Sequence, residues 1–272
     1  TYDFAQRPEY GGLMLAEQAT SGKTVNRMLH INRHSEDLLS KLEAVRLLCR
    51  ESGCAQRYLT HDALNAIYQA TWQMSEDHGG EQHERFLAYL HRIQDEDLTL
   101  GVAMTDGKGD RSKRPGDQQN IDSYVHITER RAEGIVISGA KAIVTGGPYM
   151  HELLVMPCRT MRNEDADFAV CCAVPIDAKG LTIISRPAGR PGEADAKFSS
   201  KYGQSVAVCH FDQVLVPWDQ VFLAGEHDYT EHLVTSYANH HRHSCIGARA
   251  GFGDLLIGAG SLMTEANGLD MD

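Results

Sequence analysis

Two short segments contain the residue types that could bind a metal ion or move a proton. Cys54 is followed four residues later by Tyr58, and residues 240–245 contain three histidines and Cys245. Thiolate sulfur and imidazole nitrogen are ligands for iron and zinc, and histidine is the side chain that gains or loses a proton near neutral pH. The two segments therefore indicate either a metal site or an acid–base site.

The second segment has the spacing of a single helix face. His241 and Cys245 are four residues apart, so a helix would place them side by side. Arg249 could bind an anionic substrate or a cofactor phosphate. A plainer interpretation stays open, since histidines on a polar segment can be solvated or capping groups, and an unpaired cysteine such as Cys54 is usually a small buried hydrophobe.

Composition restricts the partners and the compartment. The 272 residues carry 37 acidic and 26 basic side chains, a net charge of -11, and no basic run stands clear of neighbouring acids. This pattern argues against nucleic-acid binding, which needs a positive surface. Seven cysteines, an odd number, and no leading apolar segment indicate a reducing cytoplasm. No apolar run approaches the roughly 18 to 20 residues of a membrane helix, so no membrane partner is expected.

Hydrophobic spacing predicts three regions that must position these residues. Helices are predicted after Ser35, from Asp62 to Met74 and from Glu81 to Asp95. Short β-branched runs separated by Gly, Pro and Asp follow, as in an antiparallel sheet or barrel, and helical spacing then resumes. The order predicts an α+β fold with a helical domain (1–97), a central β domain (98–223) and the beginning of a helical bundle (224–272).

Three segments of the β region resemble one flavoprotein family. Residues 101–111, 134–141 and 211–217 are similar to the family that contains 4-hydroxyphenylacetate 3-hydroxylase and 4-hydroxybutyryl-CoA dehydratase, and the likeness is nearer to the dehydratase branch. The resemblance implies an acyl-CoA dehydrogenase-like fold, usually assembled as a homotetramer. Family members are longer at both ends, and this chain starts at Thr1 without Met, so we expect a fragment of a longer protein.

The resemblance also implies a bound FAD. In such a fold the flavin lies between the β domain and the C-terminal helices. Asp-Gly and Gly-Gly pairs also mark ordinary turns, but in this order they favour flavin contact. The residues expected to bind the cofactor are Met104, Thr105, Asp106, Lys108, Thr145 and Gly146.

The dehydratase branch holds a [4Fe-4S] cluster with three cysteines and one histidine, and this chain matches only part of that set. Cys54 and His241 stand at two of the ligand positions, whereas Tyr58 and Ala248 stand at the others. Cys245 could substitute, but the set would still be one ligand short. The sequence therefore argues against a cluster. Ser205, Cys245 and Arg249 also replace other functional residues of that branch, which argues against radical dehydration.

The function expected from the resemblance is a reduced-flavin, O2-dependent monooxygenase that hydroxylates a phenolic substrate and works with a separate flavin reductase. Its predicted catalytic residues are His241, Arg249 and Tyr58. Two alternatives stay open: a lyase like 4-hydroxybutyryl-CoA dehydratase/vinylacetyl-CoA isomerase, acting on an acyl-CoA, and an inactive fragment of a flavin fold. Bound iron would favour the lyase.

Overall fold

The computed structural model describes residues 1–18, 21–53, 57–107, 109–189, 197, 200 and 203–269. Helices come first, strands follow, and a long helix ends the described part. In chain order the elements are α1 (Tyr2–Ala5), α2 (Pro8–Met14), β1 (Leu15–Glu17), β2 (Thr24–Asn26), α3 (Ser35–Ser52), α4 (Tyr58–His78), α5 (Gln82–Asp95), β3 (Leu100–Ala103), β4 (His126–Arg130), β5 (Gly134–Thr145), β6 (Glu152–Val155), β7 (Val170–Pro175), β8 (Leu181–Arg186), β9 (Val206–Pro217), β10 (Val221–Ala224) and α6 (Thr230–Ala266).

Helix α3 is fixed at both ends by local chemistry. The Asp37 carboxylate accepts hydrogen bonds from the backbone N–H groups of Arg33 and His34, at 2.8 and 3.2 Å, which satisfies donors that the helix leaves free. Gly53 follows the last turn with a φ of 69°, a left-handed conformation that costs glycine little. The helix predicted after Ser35 is confirmed.

The two other predicted helices are confirmed with adjusted ends. Helix α4 begins at Tyr58 rather than Asp62, so Tyr58 lies in its first turn, and it continues to His78. Helix α5 begins at Gln82. The prediction of helix throughout residues 1–97 is wrong at β1 and β2, which pair antiparallel. The Arg27 guanidinium stabilises this hairpin by donating to the Leu15 carbonyl at 2.7 Å, a contact that helical periodicity cannot reveal.

The other eight strands of the described part form two four-stranded sheets, with the orders β10-β7-β6-β3 and β4-β5-β9-β8. Most neighbours are antiparallel, as predicted, but β3 and β6 are parallel. A parallel pair needs a long crossover between its strands, and here the chain makes it by building β4 and β5 of the second sheet before returning. The result is two sheets that pack face to face rather than a barrel.

The core has two layers on either side of the first sheet. Phe86 and Leu90 of α5 pack with Phe222 of β10 between the helices and this sheet. Cys172 of β7 and Phe211 of β9 lie in a second apolar cluster between the sheets. The first sheet is therefore covered on both faces.

Helix α6 is one continuous 37-residue element. It packs against α3 and α4. Gly247 allows a close approach, because a Cβ at this position would lie 2.5 Å from the Leu42 carbonyl oxygen of α3. Later residues such as Leu256 and Ile257 are exposed. The α+β class and the order of helices, strands and helix are confirmed.

Among the described residues, no helix combines the length and the apolar character needed to cross a bilayer.

We expect Gly247→Ala to destabilise the protein and Gly258→Ala to stabilise it. The added methyl at 247 meets backbone of α3, so the helices must separate, at a cost of about 1–3 kcal/mol. Gly258 lies on the same helix, and a Cβ added there would have no atom within 4 Å, so alanine should contribute about 0.5–1 kcal/mol. Urea unfolding of both variants is the measurement, and equal effects would contradict close α3–α6 packing.

We also expect stability to fall as the pH drops below 7. Burial, with the nearby Lys41 charge, holds the pKa of His61 well below its usual value of 6.5. Below about pH 6.5 the unfolded chain therefore binds a proton at His61 that the folded chain does not bind. This difference lowers the free energy of unfolding, and it grows as the pH falls. Melting temperatures from about pH 8 to about pH 5 test it. His61→Gln should flatten the profile, whereas an unchanged slope would assign the effect to other groups.

Candidate functional site

A cavity of about 450 Å³ opens where α3, α4 and α6 meet. The C-terminal turn of α3 and the first turn of α4 form one side, and one face of α6 forms the other. Gln204, just before β9, contributes from the β region. The lining side chains are thiols, a phenol, a guanidinium and apolar groups, from Cys49, Tyr58, Cys245, Ala248, Arg249, Phe252 and Leu256.

His241 lies beside this cavity between two phenol rings. Its ring is nearly parallel to that of Tyr237, with centroids 5.5 Å apart, and stacks on Tyr58 at 5.9 Å. Its Nδ1 atom is 3.3 Å from Oδ2 of Asp62. Because a carboxylate only accepts hydrogen bonds, Nδ1 carries the ring proton. In the neutral ring the free lone pair is then on Nε2, which faces Cys245.

Asp62 is held in place by two further donors. Its Oδ1 accepts hydrogen bonds from the Ser244 hydroxyl at 2.6 Å and from Lys41 Nζ at 3.1 Å. Both members of the Lys41–Asp62 ion pair are fully buried. Burial lowers the pKa of Lys41, and the charge of Asp62 opposes that shift. The carboxylate therefore has a fixed position and presents Oδ2 to His241.

Cys245 completes the arrangement on the cavity side. Its Sγ is 3.7 Å from His241 Nε2, one turn away on the same face of α6, as the spacing predicts. The Tyr58 phenol lies near the same thiol. Burial, and after it the neighbouring thiol, raise the pKa of Tyr58 above its usual range. The phenol therefore keeps its proton.

The structure brings the three predicted catalytic residues together. Tyr58 and Arg249 line the cavity and His241 lies against Tyr58. Cys54 lies outside the described residues, so its predicted position near them stays a prediction. Within the described ranges, no group of three His, Cys, Asp or Glu side chains is arranged to hold a metal ion. The chemical roles of these residues remain predictions.

The other two histidines of the segment point elsewhere. His240 Nε2 is 3.3 Å from the Gln69 amide nitrogen on α4. Burial lowers the pKa of both His240 and His243. They are thus partly buried side chains at the helix contact, and His241 alone of the three is placed between the two phenols.

The first predicted flavin segment follows β3. The Lys141 ammonium donates to the carbonyls of Met104 and Met156, at 3.0 and 2.7 Å, and pairs with Asp106 Oδ1 at 2.7 Å. Asp106 is therefore buried in an internal ion pair, while Met104 and the adjacent Thr105 are half-buried. Lys108 lies outside the described residues.

The second predicted flavin segment ends β5. Thr145 is half-buried, and Gly146 takes a left-handed conformation with a φ of 71° and donates its N–H to the Ser205 carbonyl at 2.8 Å. Ser205 follows Gln204, which lines the cavity. The hydroxyls of Thr105 and Thr145 make no hydrogen bond within the described part of the chain. These free groups fit the polar edge of an aromatic cofactor.

Sequence reasoning missed the residues that hold the site in place. Lys41, Asp62 and Ser244 come from three helices, and Lys141 lies within a strand. One signal was available for Lys141, a single charge in the otherwise apolar run of β5. Nothing in the local pattern distinguished Asp62 from a surface acid at the start of a helix.

The order of helices, sheets and long helix defines an α+β protein, with a site at the helix junction. A family model described as 4-hydroxyphenylacetate 3-hydroxylase N terminal matches residues 1–223, and the chain belongs to that family. The predicted family is confirmed.

Known proteins of both branches are similar to the chain. It is 38% identical to 4-hydroxybutyryl-CoA dehydratase/vinylacetyl-CoA-Δ-isomerase of Clostridium aminobutyricum, over 98% of the chain and 56% of that protein. The structure of an archaeal 4-hydroxybutyryl-CoA dehydratase from N. maritimus has a TM-score of 0.92 at 38% identity, covering 98% of this chain and 54% of that one. The chain thus spans about half the length of these relatives.

The hydroxylase branch has a similar structure too. The oxygenase component of 4-hydroxyphenylacetate 3-monooxygenase, in complex with FAD and 4-hydroxyphenylacetate, has a TM-score of 0.81 at 25% identity. This match covers 97% of the present chain and 55% of that structure. The fold is therefore common to both branches, and the fold alone does not select a reaction.

We expect Lys141→Met to destabilise the protein by about 3–5 kcal/mol, because it leaves Asp106 as an unpaired buried charge. The Met104 and Met156 carbonyls also lose their donor. Urea unfolding is the measurement, with Lys179→Met, at an exposed lysine, as the matched control. A double variant, Lys141→Met with Asp106→Leu, should recover part of the loss. Equal stability of the Lys141 and Lys179 variants would contradict a structural ion pair.

Proposed function

We propose that the chain is the N-terminal part of a flavin-dependent monooxygenase that hydroxylates a phenolic substrate. The observation that supports this proposal is the composition of the cavity around His241. Tyr58 and Ala248, which stand at two cluster-cysteine positions of the dehydratase branch, both line it. A phenol and a methyl group thus occupy the place where that branch needs thiolates, and a phenol suits acid–base chemistry instead.

FAD is the cofactor that we propose for this enzyme. Its support is the FAD complex of the related oxygenase component, together with the half-buried hydroxyls of Thr105 and Thr145 at the ends of β3 and β5. Bound reduced flavin would supply the electrons that activate O2. The Lys141 ion pair keeps the loop after β3 in position, and Gly146 keeps the chain close to Ser205.

The cavity residues would act on the substrate itself. His241 lies beside the cavity with Nδ1 held by Asp62, and it can accept a proton at Nε2 from a phenolic hydroxyl that takes the place of the Cys245 thiol next to it. Arg249 can bind a carboxylate on the substrate. Phe252 and Leu256 line the cavity and offer apolar contacts to the substrate ring. A separate flavin reductase and a tetramer of the full-length protein belong to the same proposal.

A second candidate is a lyase that acts on an acyl-CoA, as the dehydratase branch does. The observation that favours it is overall similarity, 38% identity over 98% of the chain and a TM-score of 0.92. This candidate requires a cluster, with ligands from Cys54, Cys245 or residues beyond this chain. An inactive flavin fold is the third alternative, and it requires that the full-length protein bind no flavin.

We expect the full-length protein, purified without oxygen, to contain about one flavin per subunit and negligible iron. Absorbance spectroscopy and metal analysis measure both. With reduced flavin and O2 it should hydroxylate a phenol. About four irons per subunit, the content of a [4Fe-4S] cluster, with dehydration of 4-hydroxybutyryl-CoA would overturn the monooxygenase proposal in favour of the lyase. Absence of flavin would overturn both.

Arg249 offers a sharper test of substrate binding. Arg249→Gln should raise KM for a phenol that carries a carboxylate by about tenfold, since a charge-assisted bond is worth about 1.5–3 kcal/mol, and leave KM for an uncharged phenol nearly unchanged. Arg242→Gln, at an exposed arginine on the same helix, is the matched control. Equal KM changes for both phenols would contradict an anion-binding role for Arg249.

A further inference from the structure

Cys245 has surroundings that hydroxylation does not explain. Its thiol is half-buried, lines the cavity and lies 3.7 Å from His241 Nε2. That nitrogen carries the free lone pair of the ring, because Nδ1 donates to Asp62. A base is therefore directed at a cysteine that faces a cavity large enough for a small molecule.

The three side chains follow the order nucleophile, base and orienting carboxylate. Cys245 contacts His241, and His241 contacts Asp62, which is fixed by Ser244 and Lys41. This order recurs in enzymes that transfer acyl groups through a covalent intermediate, whatever their fold. The arrangement is compact because the thiol and the imidazole are one helical turn apart.

Tyr58 lies on the other side of the imidazole from Tyr237, and its raised pKa keeps the phenol protonated. Tyr58 also stacks on His241, which limits rotation of the imidazole away from the sulfur.

The cavity suits a thioester. Ala248, Phe252 and Leu256 give it an apolar wall that an acyl chain can contact, and Arg249 gives it a cation for the anionic carrier of the acyl group. The volume of about 450 Å³ falls within the range of small-molecule sites.

We propose that Cys245 is a nucleophile that accepts an acyl group from a thioester bound in this cavity. The bond between the acyl carbon and Cys245 Sγ forms, and the bond between that carbon and the sulfur of the carrier breaks. The thiol proton passes through His241 Nε2 to the departing thiolate, which leaves as a free thiol. One thioester replaces another, so the step needs neither oxidant nor flavin.

This activity goes beyond the proposed hydroxylation and does not depend on it. Neither a monooxygenase nor a dehydratase requires an acyl group on the protein. Flavin content and thioester transfer can therefore be measured separately on one preparation of the full-length protein. A preparation without flavin that still transfers the acyl group would support this inference while overturning the proposed function.

The first test is the rate of alkylation by iodoacetamide, followed residue by residue with mass spectrometry. Cys158 is the internal control, since it is also half-buried, but burial and the neighbouring Asp106 raise its pKa. We expect Cys245 to react faster than Cys158 in the native protein. A Cys245 that reacts at the same rate or more slowly overturns the proposal.

The second test is acyl transfer from butyryl-CoA. We expect one butyryl group on the intact protein, mapped to Cys245, and one free CoA released. His241→Asn should slow the transfer by about 100-fold or more, the lower end of what a positioned base contributes, and His243→Asn on the same helix is the matched control. Alkylation of Cys245 without any butyryl transfer overturns the proposal.

Asp62 tests the orienting carboxylate. Asp62→Asn should slow transfer, but it also leaves Lys41 as an unpaired buried charge. Adding Lys41→Met removes that charge, so the effect on transfer can be measured apart from the effect on folding. We expect the double variant to regain the melting temperature and to stay slow. Full recovery of the transfer rate in the double variant would show that Asp62 acts only on stability and would overturn its place in the mechanism.

Discussion

The buried ion pair between Lys41 and Asp62 is the interaction on which the helical part of this structure depends. Removing two charges from water costs several kcal/mol per ion, and their attraction offsets the cost only when further hydrogen bonds complete their surroundings. Here the completion comes from a third helix, through the Ser244 hydroxyl and His241 Nδ1. Helices α3, α4 and α6 must therefore all be in place before the pair is satisfied.

Close approach of the backbones makes this convergence feasible. Gly247 lets α6 lie against the Leu42 carbonyl of α3, which brings the turn with Ser244 down onto Asp62. A bulkier residue would move the helix outward and lengthen both contacts to the carboxylate. Packing and electrostatics are thus coupled, because the glycine sets the distance that the hydrogen bonds need.

A second buried pair has a similar role in the β region. Lys141 and Asp106 are almost fully buried, and the ammonium also bonds the carbonyls of Met104 and Met156 at the ends of β3 and β6. Each proposed binding region therefore rests on a lysine–aspartate pair. In both cases the paired lysine and aspartate are directed inward, and the groups left facing the cavity or the strand ends include thiols, a phenol and hydroxyls. Arg249 is the exposed exception at the cavity.

Local periodicity and short motifs were enough to predict the order of helices and strands, the family, and the shared face of His241 and Cys245. The resemblance placed Tyr58 and Arg249 among the site candidates. Only the tertiary structure shows that Asp62 contacts Lys41, 21 residues away, and Ser244, 182 residues away. A buried charge is stable only where partners from distant segments converge, and no local pattern records that convergence. The parallel β3–β6 pair and the β1–β2 hairpin escaped prediction for the same reason, because they depend on contacts between segments rather than within them.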